Sequence, residues 1–100
     1  MLAALPGHDL IESGIHDLQE RRGTVAALIV AIGAPRLRRL GLDLPPDLPT
    51  DPEHRLYAHL AEIDEDSAHS RYNALIRRLV SFERAAECVE PSPPTASRAS

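Results

Sequence analysis

His8, Glu12 and His16 recur at four-residue steps, the spacing that stacks side chains on adjacent turns of a helix. His-Glu-His is a workable ligand set for a first-row metal ion. His59 and Glu62, three residues apart, add donors that a second helix would carry, as in carboxylate-bridged bundles. Against this stands ordinary chance, because five histidines in a hundred residues produce some pairs at this spacing. A helical wheel centred on Ile11, Ile15 and Leu18 also turns Glu12 and His16 toward solvent, whereas bundle metal sites face inward.

Arginine offers a second chemistry. Arg36, Arg38 and Arg39 crowd one short stretch, and Arg71, Arg77, Arg78 and Arg84 line another. Guanidinium forks bind phosphate and carboxylate through paired hydrogen bonds, so Arg36, Arg38, Arg39, Arg71 and Arg78 would form an anion site if they met in space. The alternative is a solvated face paired with the chain's many acids, for instance Arg84 with Glu83 or Glu87. No phosphate-cradling glycine loop and no nucleophile elbow is present. Cys88 has no histidine close in sequence, so a catalytic thiol is not expected. Glu62 with Glu65 and Glu87 with Glu90 pair carboxylates, but both pairs fall at expected helix ends. No catalytic residue and no cofactor is assigned.

Composition narrows the classes further. The apolar fraction of 43% is almost wholly aliphatic, with Tyr57, Tyr72 and Phe82 the only aromatics. This suits packed helices and argues against a stacking surface for single-stranded nucleic acid. Fifteen acids outweigh eleven bases, every base is arginine, and the net charge is −4. Abundant Ala, Arg, Pro and Leu with no lysine fits a GC-rich, bacterial coding bias. A general nucleic-acid binder would carry an overall basic field, so nucleic acid is a possible but unfavoured partner. The lone cysteine fits a reducing compartment. Met1 to Leu5 has no basic region and only a brief apolar run, so no signal peptide is expected. The longest apolar run, Val25 to Ile32, is far short of the ~20 residues that span a bilayer. A cytoplasmic protein without membrane contact is therefore expected.

These side chains must be positioned by helices. The first is expected from His8 or Asp9 to Gly23, with Asp9 as cap, Leu10, Ile11, Ile15 and Leu18 as its buried stripe, and Gly23 as its stop. Thr24 then caps a second helix, Val25 to Ile32, apolar on all sides and so the most buried element. Pro35 opens a short third helix through Leu40. Leu42 to Thr50 holds three prolines and reads as an extended connector whose leucines pack across the helices. Asp51-Pro52-Glu53 starts a fourth helix that buries Leu56, Leu60 and Ile63. After an acidic break, Asp64 to Asp66, a fifth and longest helix runs from Ser67 to Val89.

The sequence thus predicts an all-α fold, a compact bundle of four to five helices forming one domain over residues 1–90. Residues 91–100, rich in Pro, Ser and Thr, are expected to be a disordered tail. On the fifth helix the apolar stripe is long, and Tyr72, Ile76, Leu79 and Val80 are the candidates for a surface left uncovered. Uncovered apolar helix surface is normally buried in a partner. The functional expectation is a small interaction or regulatory module that binds another protein or a second copy of itself. Arginine-based anion or nucleic-acid binding is the alternative, and a metal-dependent helical enzyme built on His8, Glu12, His16 and His59 is the third reading.

Overall fold

A computed structural model of the chain describes residues 5–89. It is all-α: α1 His8–Gln19, α2 Val25–Ile32, α3 Ala34–Arg39, α4 Pro52–Ile63 and α5 Ala68–Val89, with a 3₁₀ turn, Glu65–Ser67, before α5. Among the described residues there is no strand, and no helix is long and apolar enough to cross a membrane. The expected tail, 91–100, lies outside the described residues.

The core is built around α2. Ala27, Ile29 and Val30 are fully buried, as an element apolar on every side requires. Thr24 caps it, its hydroxyl oxygen accepting from the Ala27 N–H at 3.2 Å and donating to Asp17 Oδ2 at 2.6 Å. That second bond ties the start of α2 to the last turn of α1. The two helices cross closely at Gly14, where the Ala26 carbonyl and the Val30 side chain occupy the space a Cβ would need. Leu44 of the connector is buried, and Leu42 and Leu48 pack half-buried against the core. They cover the helices as their spacing among prolines suggested.

The end of α1 departs from expectation. The helix stops at Gln19, and Arg21, with φ 60°, takes the left-handed position expected of Gly23. The Arg21 N–H donates to the Leu18 carbonyl at 3.0 Å and the Arg22 N–H to Asp17 at 2.8 Å, closing a Schellman motif. A helix continuing to Arg22 would leave too little chain to reverse direction before α2. At its other end Gly7 in the left-handed region, rather than Asp9, precedes the first turn, and no side chain caps it. Asp51 does precede α4, but with φ 55° its carboxylate makes no capping bond.

The fourth and fifth helices form a hairpin closed by the acidic break. Asp64 sets its geometry: its carboxylate accepts from the Asp66 N–H at 3.2 Å and from the Ser67 hydroxyl at 3.0 Å. The first part of α5 lies along α4, where Tyr72 meets Tyr57. Its later turns reach the α2–α3 junction and the start of α1, where Gly33 and Gly7 give Leu79 and Phe82 room to approach. Leu56, Leu60, Ala68, Leu79, Phe82 and Ala86 are buried in this assembly. Ile63, expected inside, is instead 57% exposed, because it lies in the last turn of α4 next to the acidic break.

Candidate functional site

The expected metal ligands do not gather. His8 and Glu12 approach on α1, with Nε2 and Oε1 3.9 Å apart, beside an apolar cavity of about 210 Å³ lined by Ile11, Ile15, Leu42 and Phe82. His16 lies further along α1 on the exposed surface, and His59 is half-buried on α4. Among the described residues no group of three His, Cys, Asp or Glu side chains is placed to hold a metal ion.

The expected arginine site is likewise dispersed. Arg36 turns to α5, where its Nε and terminal nitrogen donate to Glu87 Oε2 at 2.9 and 2.7 Å. Its other terminal nitrogen lies 3.6 Å from Glu83 Oε1. These are the carboxylates that sequence spacing gave to Arg84. Arg38 donates to the Pro45 carbonyl at 2.7 Å, and Arg78 reaches Asp9 at 3.4 Å. Arg39 and Arg71 are exposed on α3 and α5. Arg36, Arg38 and Arg78 thus serve as ties between elements.

Among the described residues Glu83 is the buried charged side chain, at 4% exposure. Its carboxylate lies against Gly33, where a Cβ would come within 2.8 Å of Oε2. Burial pushes its carboxyl above the usual range, and the Arg36 and Arg39 charges only partly offset this while Glu87 adds to it. Sequence reasoning placed Glu83 on the surface. Its four-residue step to Glu87 facing a cluster of arginines was the available signal.

The exposed large hydrophobics among the described residues lie on the α4–α5 hairpin. Of the four expected interface residues, Leu79 is a core residue, whereas Tyr72, Ile76 and Val80 are half-buried. These three follow each other at four-residue steps and so share one edge of α5. Tyr57 of α4 meets Tyr72 with ring centroids 5.8 Å apart and planes tilted by 55°. The Tyr72 hydroxyl is held above its ordinary pKa by burial and by the nearby Glu53 carboxylate. Tyr57, 40% exposed, and Ile63 are the exposed large hydrophobics among the described residues.

The same hairpin carries Glu53, Glu62, Asp64, Glu65 and Asp66, all exposed. Among the described residues none of these five lies within ion-pairing distance of an arginine or histidine, in contrast to Asp9, Asp17, Asp47, Glu83 and Glu87. The Asp64 turn, whose own carboxylate is held by the Asp66 N–H and the Ser67 hydroxyl, leaves Glu65 and Asp66 exposed close to Ile63 in sequence. An aromatic ring with a carboxylate nearby, as Tyr72 has Glu53, attracts a cation through both ring face and charge. Comparison with protein-family models, curated proteins and solved structures returns no match to this chain.

Proposed function

We propose that this protein is a small helical binding module whose α4–α5 hairpin takes a cationic, amphipathic segment of another protein. One observation supports this reading above the others: the exposed large hydrophobics, Tyr57 and Ile63, share a hairpin with five carboxylates that have no cationic partner among the described residues. Tyrosine is favoured at binding hot spots because it combines large apolar area with a polar tip. A partner bearing arginine or lysine between apolar residues matches both features. A second copy of this chain fits less well, since a two-fold contact through the hairpin sets like charges together.

The chain has two tyrosines, both in this pair, and no tryptophan, so its tyrosine emission reports this face alone. A helical peptide of leucine and arginine, free of aromatics, is expected to change that emission saturably. The change should weaken with salt, as exposed charge pairs are screened within about 10 Å at 0.1 M ionic strength. Tyr57→Ala should abolish most of it. An equal response to a leucine–glutamate peptide, or none to either, would refute the reading. Emission that depends on protein concentration without peptide would assign the face to a second copy.

A further inference from the structure

Near the start of α4, the turn after α1 and the connector form an open cleft of about 260 Å³. Three arginines are among the residues that line it, Arg21 and Arg22 from the turn and Arg55 from α4. Leu18, Leu48 and Pro49 supply its apolar wall. None of these arginines belongs to the groups that sequence spacing singled out. The fold brings them together because α1 stops early and the proline-rich connector returns the chain to α4 beside that stop.

Each arginine is only partly engaged. Arg21 donates to Asp47 Oδ2 at 3.3 Å, Arg22 lies 3.7 Å from Asp17 Oδ1, and Arg55 reaches the Thr50 hydroxyl at 3.4 Å. Asp17 shares its carboxylate between Arg22 and the Thr24 hydroxyl, and Asp47 is the carboxylate among the residues that line the cleft. It stands where an anionic ligand would. Arg21 adds a separate argument. Its left-handed backbone is the position where glycine is favoured and a side chain is strained. Arginine there sacrifices backbone comfort and holds a guanidinium over the cleft, and strain retained in this way is a mark of sites that act.

The geometry points to a binding site for a small phosphorylated molecule, with Asp47 as an internal competitor for Arg21. Phosphate suits three guanidiniums better than a single carboxylate does, because it offers more acceptor oxygens and up to two charges. The volume is below the roughly 300–1,000 Å³ of pockets for drug-sized ligands, so the site takes the anionic group with at most a small body. This inference does not rest on the hairpin reading: Arg55 shares α4 with Glu53 and Tyr57, but the cleft is formed with the turn after α1 and the connector.

The test is thermal unfolding of the full chain with inorganic phosphate or pyrophosphate, against chloride at matched ionic strength. Both phosphates are expected to raise the melting temperature beyond chloride, pyrophosphate more, through binding to the folded state. Arg21→Gly relieves the left-handed strain, so its melting temperature without ligand should equal or exceed that of the parent. Its pyrophosphate affinity should nonetheless fall roughly tenfold or more, the usual worth of a hydrogen bond to a charged group. Asp47→Asn, which frees Arg21, should bind more tightly. Stabilisation no greater than with chloride, or undiminished affinity in both Arg21→Gly and Arg55→Ala, would overturn the site. Equal stabilisation by sulfate would show a general oxyanion effect and overturn its assignment to phosphorylated molecules.

Discussion

An alanine at position 14 would favour the α1 helix by about 1 kcal/mol over glycine, through its lower backbone entropy. Packing opposes this. The Ala26 carbonyl and Val30 side chain fill the space where the methyl would sit, and backbone cannot rotate aside as a long side chain can. Overpacking of this kind costs about 1–3 kcal/mol and often more when backbone must move. The clash therefore wins, and Gly14→Ala is expected to lower the melting temperature by roughly 5–10 °C, using the scaling for a domain of this size. Calorimetry that found the variant as stable as the parent would show that the helices separate freely. A glycine in the middle of the amphipathic first helix is visible in the sequence, yet nothing in its neighbours tells which carbonyl it meets. That depends on the crossing point, which only tertiary packing sets.

Pairs of helices show the same division. The limits of α2, the connector with its inward leucines, and the start of α4 follow from capping residues, prolines and apolar runs within a few residues of each other. The pairing of charges does not. Arg36 with Glu83 and Glu87, Arg78 with Asp9 and Arg21 with Asp47 each join residues far apart in the chain, so nearness in sequence favoured Arg84 and missed Arg36. The tie between α3 and α5 yields a pH dependence. Glu83 has a folded-state pKa above its unfolded value, because burial outweighs Arg36. The folded state then holds the proton more tightly than the unfolded chain. The stability this adds is fully present below the unfolded carboxylate pKa and is lost as pH rises through the folded value. Glu83→Gln removes this dependence. The parent should therefore gain stability relative to the variant on acidification from neutral pH, measured as paired melting curves. A constant difference across that range would mean Glu83 ionises as freely in the fold as outside it.

For the molecule as a whole, the two hairpins differ in how they are joined. In the first, α1 and α2 are neighbours in sequence and meet through a close crossing, a cap and a shared aspartate. In the second, α4 and α5 are joined by the short Asp64 turn. The later turns of α5 instead reach back to α3 and the start of α1 across most of the chain, held there by Arg36, Arg78, Leu79 and Phe82. Closing a long loop carries more entropy than closing a short one. Contacts between neighbours are therefore expected to form first, with the docking of the second half of α5 last. Opening should follow the reverse order. In native-state hydrogen exchange, amides of Phe82 to Ala86 should exchange before those of Ala27 to Ala31, and the opposite order would contradict this. The Gly14 crossing then has a kinetic meaning as well as a packing one: it makes α1 and α2 a seed on which the remaining helices assemble.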